Sequence, residues 1–174
     1  MSTVLGVTCA GGVVLAGDRV AVSQGHVRSC SRQHVFDFGR LGVAVVGTDV
    51  DGFVDRLDGE IRAYRTERGT VGIDPLTRMA SDLTVEFDVS AVVAARDDGS
   101  VPSLRAVAAD GGVTDDVLAA FGSGASVALG ALEASHDADA TLDEAATTAR
   151  DALVTAAERD AGTGANVDIY RLPA

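Results

Sequence analysis

Hydrophobic residues along this chain change their spacing several times, and each change marks a new element. Thr3 to Cys9 and Gly12 to Asp18 are short runs rich in β-branched residues, broken by Ala10-Gly11. They predict two strands joined as a hairpin. Val35–Phe38 and Leu41–Val46 predict a second pair, with Gly39-Arg40 as the turn. The latter run is nearly all apolar, as expected of a strand covered on both faces. After Gly47-Thr48 the period lengthens. Val50, Phe53, Val54, Leu57, Ile61 and Tyr64 fall on one helix face, while Arg56, Glu60, Arg62 and Glu67 lie largely off it. Gly69 predicts the stop. Asp74-Pro75 opens a second helix, with Pro75 in its first turn, running through Leu76, Met79 and Leu83 toward Val85.

A second block of strands follows: Ser90–Arg96, a turn over Asp97-Asp98-Gly99-Ser100, Ser103–Ala109, and a short piece ending at Phe121. Gly122-Ser123-Gly124 leads into a helix with Val127, Leu129 and Leu132 facing inward. A fourth helix covers Leu142 to Arg159, with Ala145, Ala149, Leu153 and Ala156 on its inner face. Thr141 stands three residues before Glu144, the spacing of a capping box. Val167–Leu172 is the last strand. Strands, two helices, strands, two helices and a strand predict an α+β protein, a four-layer αββα sandwich with a helix pair on each outer face. With 174 residues, no repeat and no linker, residues 1–174 read as a single domain.

Charge narrows the setting. The net charge is −12; 20 of the 26 acidic residues are aspartate, and all 14 basic residues are arginine. An aspartate-rich, lysine-free surface stays hydrated when salt screens charge, which predicts a high-salt cytoplasm. GC-rich coding, which favours Arg over Lys, predicts the same bias. The acidity argues against nucleic acid and anionic membranes as partners. No apolar run approaches a membrane span, and the start lacks the basic and apolar regions of a signal peptide, so the expected location is cytoplasmic. Cys9 and Cys30 lack metal-ligand spacing, and His26, His34 and His136 complete no ligand set. No metal and no cofactor is expected.

Three stretches carry chemistry: GVTCAGGVVLAGDRV at residues 6–20, AFGSGASVALGALE at 120–133, and AAERDAGTGANVDIYRL at 156–172. In this order and spacing they resemble proteasome β-type subunits of the N-terminal-nucleophile hydrolase superfamily, over almost the whole chain. With its acidic composition, the chain resembles a divergent, haloarchaeal-like member of that family. The first strand begins at once, without the leading helix of α-type subunits, and no propeptide is expected. The resemblance implies the αββα fold and a peptidase whose first residue is both nucleophile and base. An α-amine titrates at about 7.7–8.0, so it accepts a proton near neutrality with little tuning.

The resemblance places Ser2 at the nucleophile position, and methionine before a small residue is a good substrate for methionine removal. Asp18 matches the family's orienting aspartate. His34 falls where the family has a lysine, and this chain has none; a histidine supplies a partial charge there, with Arg32 as a fixed charge beside it. Gly47 matches the glycine whose N–H forms the oxyanion hole. Ser123, Asp160 and Thr163 match the groups that hydrogen-bond around the amine. Ala21, Val45 and Asp49 are expected to line the pocket for the residue before the cut bond, with the acid favouring basic or polar side chains. Six have a plainer alternative: Ser2 as an ordinary start, Asp18 as a strand cap or terminator, His34 as a structural histidine, Gly47 as a turn glycine, Ser123 as a helix N-cap, Asp160 as a loop residue. The implied substrate is a peptide or unfolded protein, and the implied assembly a ring-forming homo- or hetero-oligomer, with or without α-type subunits. Two rival functions remain: a non-catalytic structural homologue, and an amidohydrolase acting on a small amide.

Overall fold

A computed structural model describes all residues 1–174. The first sheet has strand order β10-β1-β2-β11, from β1 (Thr3–Cys9), β2 (Gly12–Asp18), β10 (Leu118–Gly122) and β11 (Val167–Pro173). The second has order β5-β6-β7-β8-β9, from β5 (Val35–Asp37), β6 (Gly42–Gly47), β7 (Val89–Arg96), β8 (Pro102–Val107) and β9 (Val113–Thr114). All pairings within both sheets are antiparallel. Helices α1 (Val50–Arg68) and α2 (Ile73–Phe87) cover the second sheet; α3 (Ala125–Ser135) and α4 (Leu142–Ala157) cover the first. This is the αββα sandwich.

Period-two alternation explains why the central strands are apolar throughout. In β2, Val13 and Leu15 enter the inter-sheet core while Val14 and Ala16 face α3 and α4. In β6, Ala44 and Val46 enter the inter-sheet core, while Val43 and Val45 pack under α1 and α2. Both faces of each strand are therefore buried, and the one charged residue in either, Asp18 at the end of β2, is buried as well.

Helix ends follow their signals. Gly69 ends α1 with φ +87°, a conformation that favours glycine. Thr141 and Glu144 form the reciprocal capping box at the start of α4. Replacing Thr141 with Ala should cost about 1 kcal/mol, lowering the melting temperature by about 2–4 °C, as read by calorimetry. Two features differ from the sequence reading. A small hairpin, β3 (Ala21–Ser23) with β4 (His26–Ser29), lies between β2 and β5 and was not expected. In α3 the buried residues are Ala128 and Leu132, and Leu129 is only half-buried; small side chains let α3 pack closely on its sheet.

Candidate active site

Ser2 sits just ahead of β1, buried, with its hydroxyl donating to the Val20 carbonyl. It lines a cavity of about 730 Å³ together with Ala21, His34, Val46, Gly47 and Gly122. The wall is thus assembled from the ends of β6 and β10, the β3–β4 hairpin and the segment before β5. Gly47, the last residue of β6, has φ +147°, and a Cβ there would lie 2.5 Å from the Asp88 carbonyl oxygen. Only glycine fits that turn.

Asp18 ends β2 and is fully buried. Its carboxylate accepts the Thr3 N–H at 3.0 Å, the Val20 N–H at 3.4 Å, and the Gly164 N–H. It thereby fixes the backbone on both sides of Ser2: the residue that follows it, and the residue whose carbonyl holds its hydroxyl. Burial pushes the Asp18 carboxyl up from its usual range, against the opposing pull of these amide donors and of His34.

His34 does not pair with that carboxylate. Its Nδ1 lies 2.8 Å from the Asp18 backbone carbonyl. A carbonyl only accepts, so Nδ1 carries the proton. Burial pushes the imidazole below its ordinary value; its bond to Asp18 and the Asp18 charge oppose the shift, and the Arg32 guanidinium adds to it. At neutral pH His34 is therefore uncharged, with Nε2 as an acceptor. This corrects the expectation that His34 stands in for a lysine charge, because burial disfavours the charged form. Arg32, also on the cavity wall, lies outside any strand and pairs with Asp51 at 3.2 Å.

A second cluster gathers around the residue preceding Ser2. The Ser123 hydroxyl bonds to the Met1 carbonyl and to Asp160, the latter at 2.6 Å. Thr163 donates to Asp160 at 2.6 Å, so its oxygen accepts from Thr3 at 2.7 Å, and Thr3 in turn accepts the Gly124 N–H at 2.9 Å. Gly162 closes the loop against this cluster, where a Cβ would meet the Ser123 oxygen at 2.5 Å and the Met1 carbonyl oxygen at 2.6 Å. Burial alone raises the Asp160 carboxyl, but donors from Ser123, Thr163 and Gly162, with the N-terminal ammonium, bring it below its ordinary value. Asp160 is an anion facing the chain's amino end.

The structure brings together Ser2, Asp18, His34, Gly47, Ser123, Asp160 and Thr163 around the N-terminus. Ser123 is not the helix N-cap; Gly124 is. Of the three expected pocket residues, Ala21 lines the cavity and two do not. Val45 faces α1 and α2, because the pleat turns Val46 to the other side. Asp49 caps α1, accepting the Gly52 N–H at 2.9 Å, and does not line the cavity. Thr3, Val20 and Gly164 were missed: their roles lie in backbone groups, or in a contact spanning 160 residues. No group of His, Cys, Asp and Glu side chains is arranged to hold a metal.

A family model described as "Proteasome subunit" matches residues 1–172. "Proteasome subunit beta" of Halorubrum lacusprofundi is 32% identical over 97% of this chain and 72% of its own length. "Proteasome subunit beta 1" of Staphylothermus marinus is 29% identical over 98% of this chain and 84% of its own. "Proteasome subunit beta" of Natrialba magadii is 31% identical over 95% and 71%. Sandwich architecture, a cavity at the amino end and a match along nearly its full length agree: the chain belongs to the proteasome subunit family.

Proposed function

We propose that the chain is a proteasome-type peptidase subunit that cuts peptide bonds through Ser2 once Met1 has been removed. The observation that carries this reading is the position of Ser2: its side chain is on the cavity wall, while the Met1 carbonyl ahead of it is held by Ser123 beside the Asp160 anion. Removing Met1 leaves the Ser2 amino group in that polar cluster, where the Asp160 anion attracts the positive charge it carries when protonated.

The Ser2 hydroxyl then attacks the peptide carbonyl carbon, and its proton passes to the free α-amine. The oxyanion is met by the Gly47 N–H. Collapse expels the leaving amine with that proton and leaves a Ser2 ester, which water hydrolyses to return the serine. Asp18 positions, through backbone amides, the residues flanking Ser2. His34, neutral and anchored at Nδ1, lines the same cavity, where Nε2 serves as an acceptor for a donor on the bound peptide.

This predicts a particular pH dependence. Both the α-amine and His34 must be unprotonated. The logarithm of kcat/KM should rise with slope one below about pH 8, from the amine. It should steepen to slope two at a pH below 6.5, the ordinary value from which His34 is displaced downward. A His34→Gln variant should keep slope one throughout. Stability follows the same sign. The folded pKa lies below the unfolded one, so the unfolded chain binds more protons, and the His34 contribution is lost as pH falls from 6.5 through the folded value.

A second reading, a structural subunit without catalysis, is favoured by one observation: the chain contains no lysine, and burial disfavours a charge on His34 at that position. Activity on peptide substrates by a chain whose mass shows Met1 absent supports the first reading; a free Ser2 amine with no cleavage of peptides or small amides supports the second. Assembly into rings in a salt-rich cytoplasm accompanies either reading, and sedimentation in high salt tests it.

A further inference from the structure

Thr3 is wholly buried and touches both polar clusters at the amino end. Its N–H donates to Asp18 at 3.0 Å, and its hydroxyl meets that of Thr163 at 2.7 Å. The direction of the hydroxyl bonds is fixed from both ends. The Gly124 N–H can only donate, so the Thr3 oxygen accepts it, at 2.9 Å. An ionised carboxylate only accepts, so Thr163 gives its single proton to Asp160, at 2.6 Å. Thr3 therefore donates to Thr163, and the bonds run one way, from the Gly124 amide through Thr3 and Thr163 to the Asp160 anion. Gly124 leaves room for this approach. A Cβ there would lie 2.6 Å from the Thr163 oxygen and 2.9 Å from the Thr3 oxygen.

We infer that Thr3 is a positioning residue for the Ser2 amine, acting through Thr163 on Asp160. Hydrogen bonds in a one-way chain polarise one another, so the amide and the Thr3 hydroxyl strengthen the donor that Thr163 presents to the carboxylate. A carboxylate better satisfied by its donors holds the neighbouring ammonium less firmly, and the amine releases its proton at a lower pH. Other charged and titratable side chains surround this end. They are Asp18 at the end of β2, the Arg19–Asp168 pair beside it, Arg28 on β4, Arg32 and His34 ahead of β5, and Asp88 after α2. Neither β10 nor the first turn of α3 contributes one. A change confined to the Thr3 hydroxyl leaves all of them in place.

The catalytic meaning of this role rests on the peptidase reading of Ser2, but the amine can be followed without cleavage. Because the chain contains no lysine, the Ser2 amine of a chain lacking Met1 is its only primary amine. Trace labelling with acetic anhydride across a pH series, read by intact mass, gives the midpoint of that amine. The acid limb of kcat/KM gives the same midpoint from activity. Thr3→Val should move both upward by about half a pH unit, about a threefold loss of rate at a pH on the limb. Thr3→Ser, which keeps the hydroxyl and loses the methyl, should restore the wild-type midpoint. Thr3→Cys, whose thiol is a weak donor and acceptor, should shift in the same direction and serves if Thr3→Val does not fold. An unmoved or lowered midpoint in folded Thr3→Val or Thr3→Cys overturns the role of Thr3 while leaving the peptidase standing. So does a Thr3→Ser midpoint displaced as far as that of Thr3→Val. A labelling midpoint that follows the Thr3 hydroxyl in a chain that cuts no peptide upholds the role of Thr3 and overturns the peptidase reading.

Discussion

Replacing Ser2 with Ala should abolish peptide cleavage, lowering kcat at least about 10³-fold, while the fold persists. The hydroxyl is the only atom lost, and its one bond in the chain goes to the Val20 carbonyl. Losing a single neutral hydrogen bond costs about 1 kcal/mol, so circular dichroism and the unfolding midpoint should change little. The loss of rate has a different origin. Without Oγ there is no atom to form the ester, and the α-amine alone has nothing to deprotonate. Ser2→Thr should retain activity, since it keeps the hydroxyl and adds a methyl that restricts its rotamer. Parallel loss in both variants, with the fold intact, would contradict the assignment of Oγ as nucleophile.

The second large effect is expected at Asp18. Asp18→Asn keeps the shape but turns one carboxylate oxygen into an NH2 group, which meets a backbone N–H instead of accepting it. Thr3, Val20 and Gly164 all donate to this side chain. A buried donor left unpaired costs about 1–3 kcal/mol, so urea denaturation should show a loss in that range. Cleavage should fall about 10²-fold or more, because the backbone around Ser2 loses the anchor that sets its position. The carboxyl's raised pKa has its own signature. The folded chain binds the Asp18 proton more tightly, so its contribution is complete below pH 3.8 and is lost as pH rises through the folded value. Ionised Asp18 is thus held at a cost in stability, and the Asn variant should lose this pH dependence along with the activity.

Much of the fold was legible because burial on both faces leaves uninterrupted apolar runs. The β1–β2 hairpin ends where the sequence reading put it, and the Thr141 capping box is a local signal that the structure repeats. The β3–β4 hairpin was not legible. Its residues are exposed or half-buried, so no alternation marks them, and the Gln24-Gly25 turn has only one glycine to announce it. Val45 was misplaced by a single residue of pleat parity, which moves a side chain from one core to another. Asp49 carries a readable cue, an aspartate directly before an apolar helical run, whose plain meaning as an N-cap is the correct one. Within the site, family spacing located side chains such as Ser123, Asp160 and Thr163. The hydrogen-bond direction through Thr3, and the tautomer of His34, depend on backbone carbonyls and amides that no residue type announces. His34 shows the difference most clearly: its position was legible, and its charge state came from burial.

The central claim is that the Ser2 amine and hydroxyl act together, and an epoxyketone probe reads both, since it closes a ring on a hydroxyl and the α-amine of the same residue. Intact-mass analysis of the purified chain after treatment should show Met1 absent and one probe bound, mapped by peptide sequencing to Ser2. A chain that retains Met1, or carries an acetylated amino terminus, and yet cleaves peptides at an undiminished rate would contradict the account.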